Sequence, residues 1–379
     1  MGVAPRDVAE LVDLLVRWCR IPTHVDNRDG LLAMADELVA ALTPIAGRVE
    51  VRPVGPNRLP VVCAWSPPRV SPSVLLVGHF DTVPHDGSQA TPDVQVHDGR
   101  IVGRGTADMK GGVLVMLEAL TRLEVGDPLT GWQVVLVPDE EIGTPWSRGI
   151  LREAAERSSA ALVFEPATSD GGLVRRRKGV GTITIAITGR AAHAGRNPWE
   201  GRSAVAAMAD VIPRIEALGD SAVGTFVNVT TASGGRAANV IPAHADLQVD
   251  IRVDSAEESS RVIDGIDYAT RAVAQARGIA IAVTGGLHRP PMPANPAADA
   301  LVERYRAAAA DRDLVISWTD VGGGSDANLI AQAGIPVLDG LGVVGGDLHG
   351  PAEFALIDSL DDRSDLAKDL IAAIPALLS

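Results

Sequence analysis

Acidic residues and histidines recur where predicted strands or glycine-rich turns end. Five stretches carry them: His79 with Asp81, Asp108, Asp139-Glu140-Glu141, Glu165, and Asp347 with His349. Because loops at the carboxyl ends of strands open over one edge of an α/β sheet, we expect these side chains to converge. Any one of them alone would more simply be a cap or a solvated loop residue. Five in one chain favour a common site.

The residue types indicate which chemistry such a site would support. Carboxylates and imidazoles gathered at one sheet edge would repel one another unless a cation held them. Oxygen and nitrogen ligands suit zinc, cobalt or manganese. Neither Cys19 nor Cys63 lies in the five stretches, which disfavours a structural tetrahedral zinc. The pattern therefore predicts a catalytic site for two divalent metal ions about 3.5–4 Å apart.

The elements that must position these residues alternate between helix and strand. Hydrophobic spacing predicts helices at 7–19, 30–42, 111–123 and 147–157, and buried strands at 74–80, 132–138 and 160–164. Residues 94–102 alternate around Asp98-Gly99, a pair that favours a type I′ hairpin turn. This order predicts an α/β sheet with parallel strand pairs.

The pattern changes after Glu165 and later returns. It predicts a strand at 179–189, a helix at 203–218, strands at 224–231 and 244–253, a helix between Ser255 and Gly278, and a strand at 279–284. The order βαββαβ is that of a ferredoxin-like module. Helix and strand then alternate again to residue 378. We therefore predict a catalytic domain in two parts, 1–176 and 288–379, interrupted by a small inserted domain at 177–287.

The composition narrows the possible partners. The chain has 48 acidic and 34 basic residues, a formal charge of −14, which disfavours binding to nucleic acid or to an anionic membrane surface. No apolar run approaches the roughly 20 residues of a membrane span, and no secretion signal is evident. Two cysteines are too few for a disulfide framework. We expect a soluble cytoplasmic protein with a small-molecule partner.

Several of these strings resemble the M20 family of dinuclear zinc peptidases and amidohydrolases. They are GHFDTV at 78–83, GRGTADMKGG at 103–112, DEEIG at 139–143 and AHAG at 192–195. FEP at 164–166, GGGSDA at 322–327 and the final His349 are similar to the glutamate carboxypeptidase (carboxypeptidase G2-like) branch. The resemblance implies a zinc-exopeptidase-type mixed sheet with helices on both faces and an inserted lid and dimerisation domain.

Carried over by position, the resemblance implies a ligand set for two metal ions. Asp108 would bridge the two ions, which are zinc in the family, with cobalt or manganese as alternatives. His79 and Glu165 would complete one site, and Glu141 and His349 the other. It also implies a cis peptide bond after Asp108.

Two further residues are assigned to catalysis by the same resemblance. Glu140 resembles the general base, and Asp81 matches the residue that hydrogen-bonds the His79 ring and fixes its tautomer. Neighbours on an extended chain point to opposite sides, so one of Glu140 and Glu141 would ligate and the other face the water. Residue spacing leaves open which does which, and the family assignment decides it.

The inserted domain and one glycine-rich segment supply the implied substrate contacts. His193 would stabilise the oxyanion, in the family often across a dimer interface, although a surface turn histidine is the simpler alternative. Asn239 and Arg252 would hold a substrate carboxylate, while a salt-bridged strand residue is the alternative for Arg252. Backbone groups of Gly323, Gly324 and Ser325 would approach the substrate. The predicted strands at 179–189 and 224–231 would offer edges for a homodimer.

We interpret the sequence as a hydrolase that cleaves an amide bond next to a free carboxylate. A metal-activated water would attack, and Glu140 would move its proton to the leaving amine. A carboxypeptidase and an N-acyl-amino-acid amidohydrolase both fit. The alternative is a biosynthetic deacylase of the acetylornithine or succinyl-diaminopimelate type. A metal-binding scaffold without turnover would lack a ligand or the base, and none is missing.

Overall fold

The computed structural model describes residues 4–67, 73–84, 93–123 and 131–377. The chain divides into two compact units. The first comprises residues 1–176, 294–321 and 325–379, and the second comprises residues 177–293 with 322–324. The second unit thus ends after Pro293 rather than at residue 287, and it includes three residues of the glycine-rich segment. Within the described ranges, no helix combines the length and apolar character that a bilayer crossing requires.

The helices follow the predicted ones closely. They are α1 (Val8–Cys19), α2 (Arg28–Leu42), α3 (Lys110–Thr121), α4 (Arg148–Glu156), α5 (Ala204–Glu216), α6 (Ala256–Arg277), α7 (Asp299–Ala310), α8 (Asp326–Ile330) and α9 (Asp358–Leu377). Local sequence explains their ends. Ser255 accepts a hydrogen bond from the Glu258 amide at the start of α6, and Gly278 adopts a left-handed conformation beyond its end.

The strands include several that periodicity did not predict. They are β1 (Arg48–Val54), β2 (Leu59–Trp65), β3 (Ser73–His79), β4 (Gln95–His97), β5 (Arg100–Val102), β6 (Gly131–Val137), β7 (Ala160–Val163), β8 (Leu173–Arg177), β9 (Gly179–Thr188), β10 (Ala192–His193), β11 (Phe226–Gly234), β12 (Val240–Ile241), β13 (His244–Val253), β14 (Ala280–Arg289), β15 (Trp318–Val321), β16 (Val337–Leu338), β17 (Gly345–Gly346) and β18 (Phe354–Leu356). Asp98 and Gly99 both have positive φ, which confirms the predicted turn between β4 and β5.

The main sheet of the first unit is mixed and has the order β1-β2-β6-β3-β7-β16. Strand β3 runs parallel to both β6 and β7, whereas β1, β2 and β6 are joined by antiparallel pairing. The apolar residues of β3 are fully buried, and α3 is buried along nearly its whole length. Parallel pairing brings the carboxyl ends of β3, β6 and β7 to one edge, where the predicted site residues follow.

A second sheet, smaller and antiparallel, positions two of the segments that carry site residues. Its order is β17-β18-β5-β4, so β18 pairs with β5 and β17 pairs with β18. The loop between β17 and β18 carries His349, and the segment after β5 leads to Asp108. Two sequence stretches more than 200 residues apart are thereby fixed side by side.

The second unit has the βαββαβ order predicted from the sequence, formed by β9, α5, β11, β13, α6 and β14. Its antiparallel sheet has the order β11-β13-β9-β14. Buried residues of the strands pack on α5 and α6. One expectation is wrong: β9 pairs with β13 on one side and β14 on the other, so it offers no free edge. Of the two strands expected to offer an edge, only β11 does.

Candidate metal centre

His79 is the last residue of β3 and is almost completely buried. Its Nε2 lies 3.0 Å from Asp108 Oδ1 and 3.9 Å from Glu165 Oε2. Its Nδ1 lies 3.0 Å from the Asp81 main-chain carbonyl oxygen. A carbonyl can only accept, so Nδ1 carries the proton and Nε2 is the ring atom directed at the two carboxylates.

Asp108 faces a histidine with each of its carboxylate oxygens. Oδ1 contacts His79, and Oδ2 lies 3.2 Å from Nε2 of His349. Burial alone would raise the pKa of Asp108, but the hydrogen bonds from His349 and His79 hold it well below its usual range. The Asp108–Met109 peptide is cis. One carboxylate therefore joins two groups of ligand atoms.

His349 completes the second group from the loop between β17 and β18. Its Nε2 lies 3.3 Å from Glu141 Oε2. Hydrogen bonds to Asp108 and then to Glu141 raise the pKa of the half-exposed His349 ring to about 10. The pKa of His79 is also raised. Burial alone would lower it, but the hydrogen bonds to Asp108 and Asp81 outweigh that effect.

The two groups, His79-Asp108-Glu165 and Asp108-Glu141-His349, fit a pair of metal ions. Within each group the possible ligand atoms lie within 4.8 Å of one another, and Asp108 belongs to both. Two imidazole nitrogens and three carboxylates form a donor set suited to zinc, cobalt or manganese. The structure thus brings together the five residues predicted as ligands.

Glu140 directly precedes Glu141 in the chain and belongs to neither group. It is buried, and with Glu141 it forms a 3₁₀ turn, Glu140–Ile142. The expectation of an extended chain at this point is wrong. The two side chains diverge because successive residues of a 3₁₀ turn project about 120° apart. The Asp81 carboxylate fixes this turn by accepting the amides of Glu140 at 3.1 Å and Glu141 at 3.0 Å.

Sequence reasoning missed Lys110, which follows Asp108 by two residues. Its side chain is buried, and its Nζ donates to the carbonyl oxygens of Trp18 at 3.1 Å and Ile21 at 2.9 Å. Burial lowers the pKa of Lys110 to about 8. The ammonium thereby caps the end of α1 and joins it to the start of α3. A lysine inside an otherwise apolar and glycine-rich stretch was the available signal.

The second unit places two predicted substrate contacts together. His193 in β10 pairs with Val240 in β12, and the amide of Ala194 donates to the carbonyl oxygen of Asn239. Nδ1 of His193 accepts the amides of Gly195 at 3.1 Å and Arg196 at 3.2 Å. The exposed ring therefore carries its proton on Nε2, where it can donate to an oxyanion.

Arg252 lies elsewhere in this unit. Strand β13 begins at His244, shortly after β12, and Arg252 lies eight residues further along it. At about 3.4 Å per residue, His244 and Arg252 are roughly 27 Å apart. Its guanidinium pairs with Asp250 through contacts of 3.0 and 3.1 Å. The strand ion pair considered from the sequence is present, and substrate binding by Arg252 stays a prediction.

The contacts observed for the glycine-rich segment, residues 322–325, are with other residues of the chain and stabilise the fold. A Cβ at position 324 would lie 2.7 Å from Arg289 Cδ, and Gly323 accepts a hydrogen bond from Arg177. Ser325 caps α8, with its amide donating to Asn328 and its hydroxyl to Asp339. Backbone contact of Gly323 and Gly324 with a substrate stays a prediction. For Ser325 the hydrogen bonds observed serve the helix cap and a contact with Asp339.

Metal loading should release protons. At pH 7 the raised pKa values keep His79 and His349 protonated, whereas metal ligation requires neutral imidazoles. We expect about two protons to leave per chain, and the apparent metal affinity to rise with pH up to about 10. Calorimetric titration of chelator-treated protein in buffers of different ionisation enthalpy gives the number. The His349→Ala variant should release about one proton fewer; an unchanged release would contradict the assignment.

A mixed α/β sheet with two ligand groups joined by one carboxylate at its carboxyl edge is the architecture of a metal-dependent hydrolase. The sequence profile of Peptidase family M20/M25/M40 matches residues 75–373. The chain belongs to this family.

Individual relatives agree with this assignment. Carboxypeptidase G2 from Pseudomonas sp. (strain RS-16) is 32% identical over 310 residues, which cover 80% of this chain and 74% of that protein. Two solved structures share the fold. Aminopeptidase PepT from Bacillus cereus ATCC 10987 has a TM-score of 0.81 at 23% identity, covering 97% of this chain and 99% of that one. The M20 family metallo-carboxypeptidase Sso-CP2 from Sulfolobus solfataricus has a TM-score of 0.79 at 16% identity, covering 97% and 99%.

Proposed function

We propose that this hydrolase cleaves an amide bond next to a free carboxylate, as a carboxypeptidase or an N-acyl-amino-acid amidohydrolase. The observation that carries the proposal is the pair of ligand groups that share Asp108, with Glu140 directly before the ligand candidate Glu141 in one 3₁₀ turn. The similarity to carboxypeptidase G2 supports the substrate class. Arg252 and Asn239 are the residues proposed to recognise the carboxylate, since a guanidinium pairs with a carboxylate through two hydrogen bonds.

Each residue then has a chemical task. His79, Asp108 and Glu165 would hold one metal ion, and Glu141 and His349 would hold the other with Asp108. Two divalent ions held there would polarise the amide carbonyl and lower the pKa of a water molecule. Glu140 would take a proton from the attacking water as the water oxygen bonds to the amide carbon, and would deliver that proton to the amine nitrogen as the C–N bond breaks.

The substrate class is tested with a panel of N-acyl amino acids and dipeptides, each with a free or an amidated carboxyl terminus. We expect amidation to lower kcat/KM by about 10–100-fold, because an amide cannot accept the charge-assisted hydrogen bonds that the partly exposed Arg252 would donate to a carboxylate. Arg252→Lys should reduce the difference in kcat/KM between free and amidated substrates. Arg271→Lys, a change at an exposed residue of α6, serves as a control. Equal rates for both series would contradict the proposal. Selective turnover of acetylornithine or succinyl-diaminopimelate would favour the biosynthetic deacylase.

We propose zinc as the native metal and two ions per chain. Purified protein should contain close to two equivalents, lose its activity on chelation, and recover it with zinc or cobalt. The His349→Ala chain should keep about one equivalent, because it lacks one ligand of a single group. Elemental analysis alongside activity measures both quantities. Full activity with one bound equivalent would contradict a dinuclear site.

We also propose a cytoplasmic homodimer formed through the second unit. Both cysteines are free and buried, which suits a reducing compartment. Strand β11 leaves one edge unpaired within the described sheet and can extend it across a two-fold axis. His193 and Asn239 lie at the opposite end of the unit from Arg252. This separation supports a substrate that is held by Arg252 of one chain and by His193 and Asn239 of the other.

A further inference from the structure

Glu353 is a buried carboxylate that belongs to neither ligand group. It lies four residues after His349, in the loop between β17 and β18. Its Oε1 accepts the amides of Ala107 at 3.1 Å and Asp108 at 3.0 Å. Its main-chain carbonyl accepts the amide of Gly103 at 2.7 Å. The glycine-rich segment that presents Asp108 is thus held at three amides by this one residue.

A buried carboxylate at this position lowers the stability of the fold unless hydrogen bonds from the surrounding loop compensate for its burial. Moving an ionised carboxylate out of water carries a large desolvation penalty, which amide donors partly offset. Leucine or methionine would fill such a position at lower cost if packing were its sole role. The carboxylate does what no apolar side chain can: it draws two consecutive amides towards a single oxygen and so sets the orientation of the peptide before Asp108.

That orientation matters because Asp108 must direct one oxygen to each histidine. The two contacts, 3.0 Å to His79 and 3.2 Å to His349, come from opposite oxygens of one carboxylate. A site of this kind tolerates displacements of only about 0.5 Å. His349 and Glu353 lie in the same loop, so the segment that supplies one ligand also anchors the other.

We propose that Glu353 is a positioning residue that holds the Asp108 loop so that its carboxylate is shared by the two ligand groups. This inference rests on the proposed dinuclear function. Glu353 contacts no substrate and ligates no metal. Its loss should therefore weaken metal binding and distort the site without removing a ligand.

The test compares Glu353→Ala with Glu353→Gln in cobalt-substituted protein. Loss of a residue that orients a ligand typically costs 10–100-fold in metal affinity or activity. We expect Glu353→Ala to lose this much in both cobalt affinity and kcat, with a changed visible cobalt spectrum and a KM within about threefold of wild type. Glutamine keeps one acceptor oxygen and should recover much of the loss.

Glu118→Gln is the matched control, because Glu118 is equally buried and accepts hydrogen bonds from Arg6 and Arg122 rather than from the Asp108 loop. It should lower the unfolding temperature and leave the cobalt spectrum unchanged. A folded Glu353→Ala chain with wild-type affinity and spectrum would overturn the proposal. If that chain does not fold, Glu353→Asp decides: an unaltered spectrum overturns it and an altered one supports it. Wild-type protein that binds no metal pair would instead overturn the proposed function.

Discussion

Replacing Glu140 with glutamine is expected to lower kcat by about 10²–10⁴-fold while both metal ions stay bound. This range is the usual contribution of a general base. Glutamine matches the shape of glutamate but cannot take a proton at neutral pH. The metal ions should stay because Glu140 belongs to neither ligand group, and because the Glu140 and Glu141 amides still reach the Asp81 carboxylate. Turnover and metal content are measured on the same preparation.

Glu141→Gln is the matched comparison, since it makes the same chemical change one residue away. Glu141 lies 3.3 Å from His349 and belongs to the second group, so its amide variant should lose metal as well as activity. Added zinc should restore part of the Glu141→Gln activity and none of the Glu140→Gln loss. If both variants shed the same ion, the division of roles between the two residues is wrong.

The sequence predicts which of the proposed ligands converge, because their positions follow from strand ends. His79 is the last residue of β3, and Glu140 and Glu165 lie three and two residues beyond the ends of β6 and β7, so parallel pairing of those strands must bring them to one edge. Buried apolar runs reveal such strands without any knowledge of tertiary structure. The same reasoning yields the βαββαβ order of the second unit.

Strand pairing order is much harder to predict, and the misplaced edge at β9 shows why. A half-exposed strand with alternating residues has one pattern whether it lies at the edge or in the centre of a sheet, because alternation reports faces and not neighbours. Its central position depends on β13 and β14, which follow much later in the chain.

The backbone contacts of the anchoring residues escape prediction for a related reason, even at Asp81, whose contact with the His79 ring the family resemblance implied. Asp81, Lys110 and Glu353 act through backbone groups distant in sequence, and a backbone amide or carbonyl leaves no signature in residue type. Glu353 reaches back 245 residues to the Asp108 amide. The short strands β5 and β18, which place these segments together, have three residues each and show no usable period.

Mixing two inactive variants is expected to restore about a quarter of wild-type activity if His193 serves the partner's site. A dimer of Glu140→Gln and His193→Ala chains contains one complete site. That site lies on the His193→Ala chain, which has its own Glu140 and receives His193 from its neighbour. Random exchange makes half of the dimers mixed, and each has one working site of two. Each variant alone should be nearly inactive.

The geometry of the second unit is the reason for expecting activity to recover in this mixture. Nε2 of His193 is the donor available to an oxyanion, because two backbone amides occupy Nδ1. Arg252 lies roughly 27 Å along β13 from His244, the strand end that follows β12, and this favours contact of one small substrate with His193 and Arg252 of different chains. Mixing Glu140→Gln with Glu141→Gln is the control, since both changes fall in the catalytic unit and every site, in mixed or unmixed dimers, lacks one of the two. Recovery in the first mixture alone supports action across the dimer. No recovery under conditions shown to exchange subunits would mean that His193 acts within its own chain.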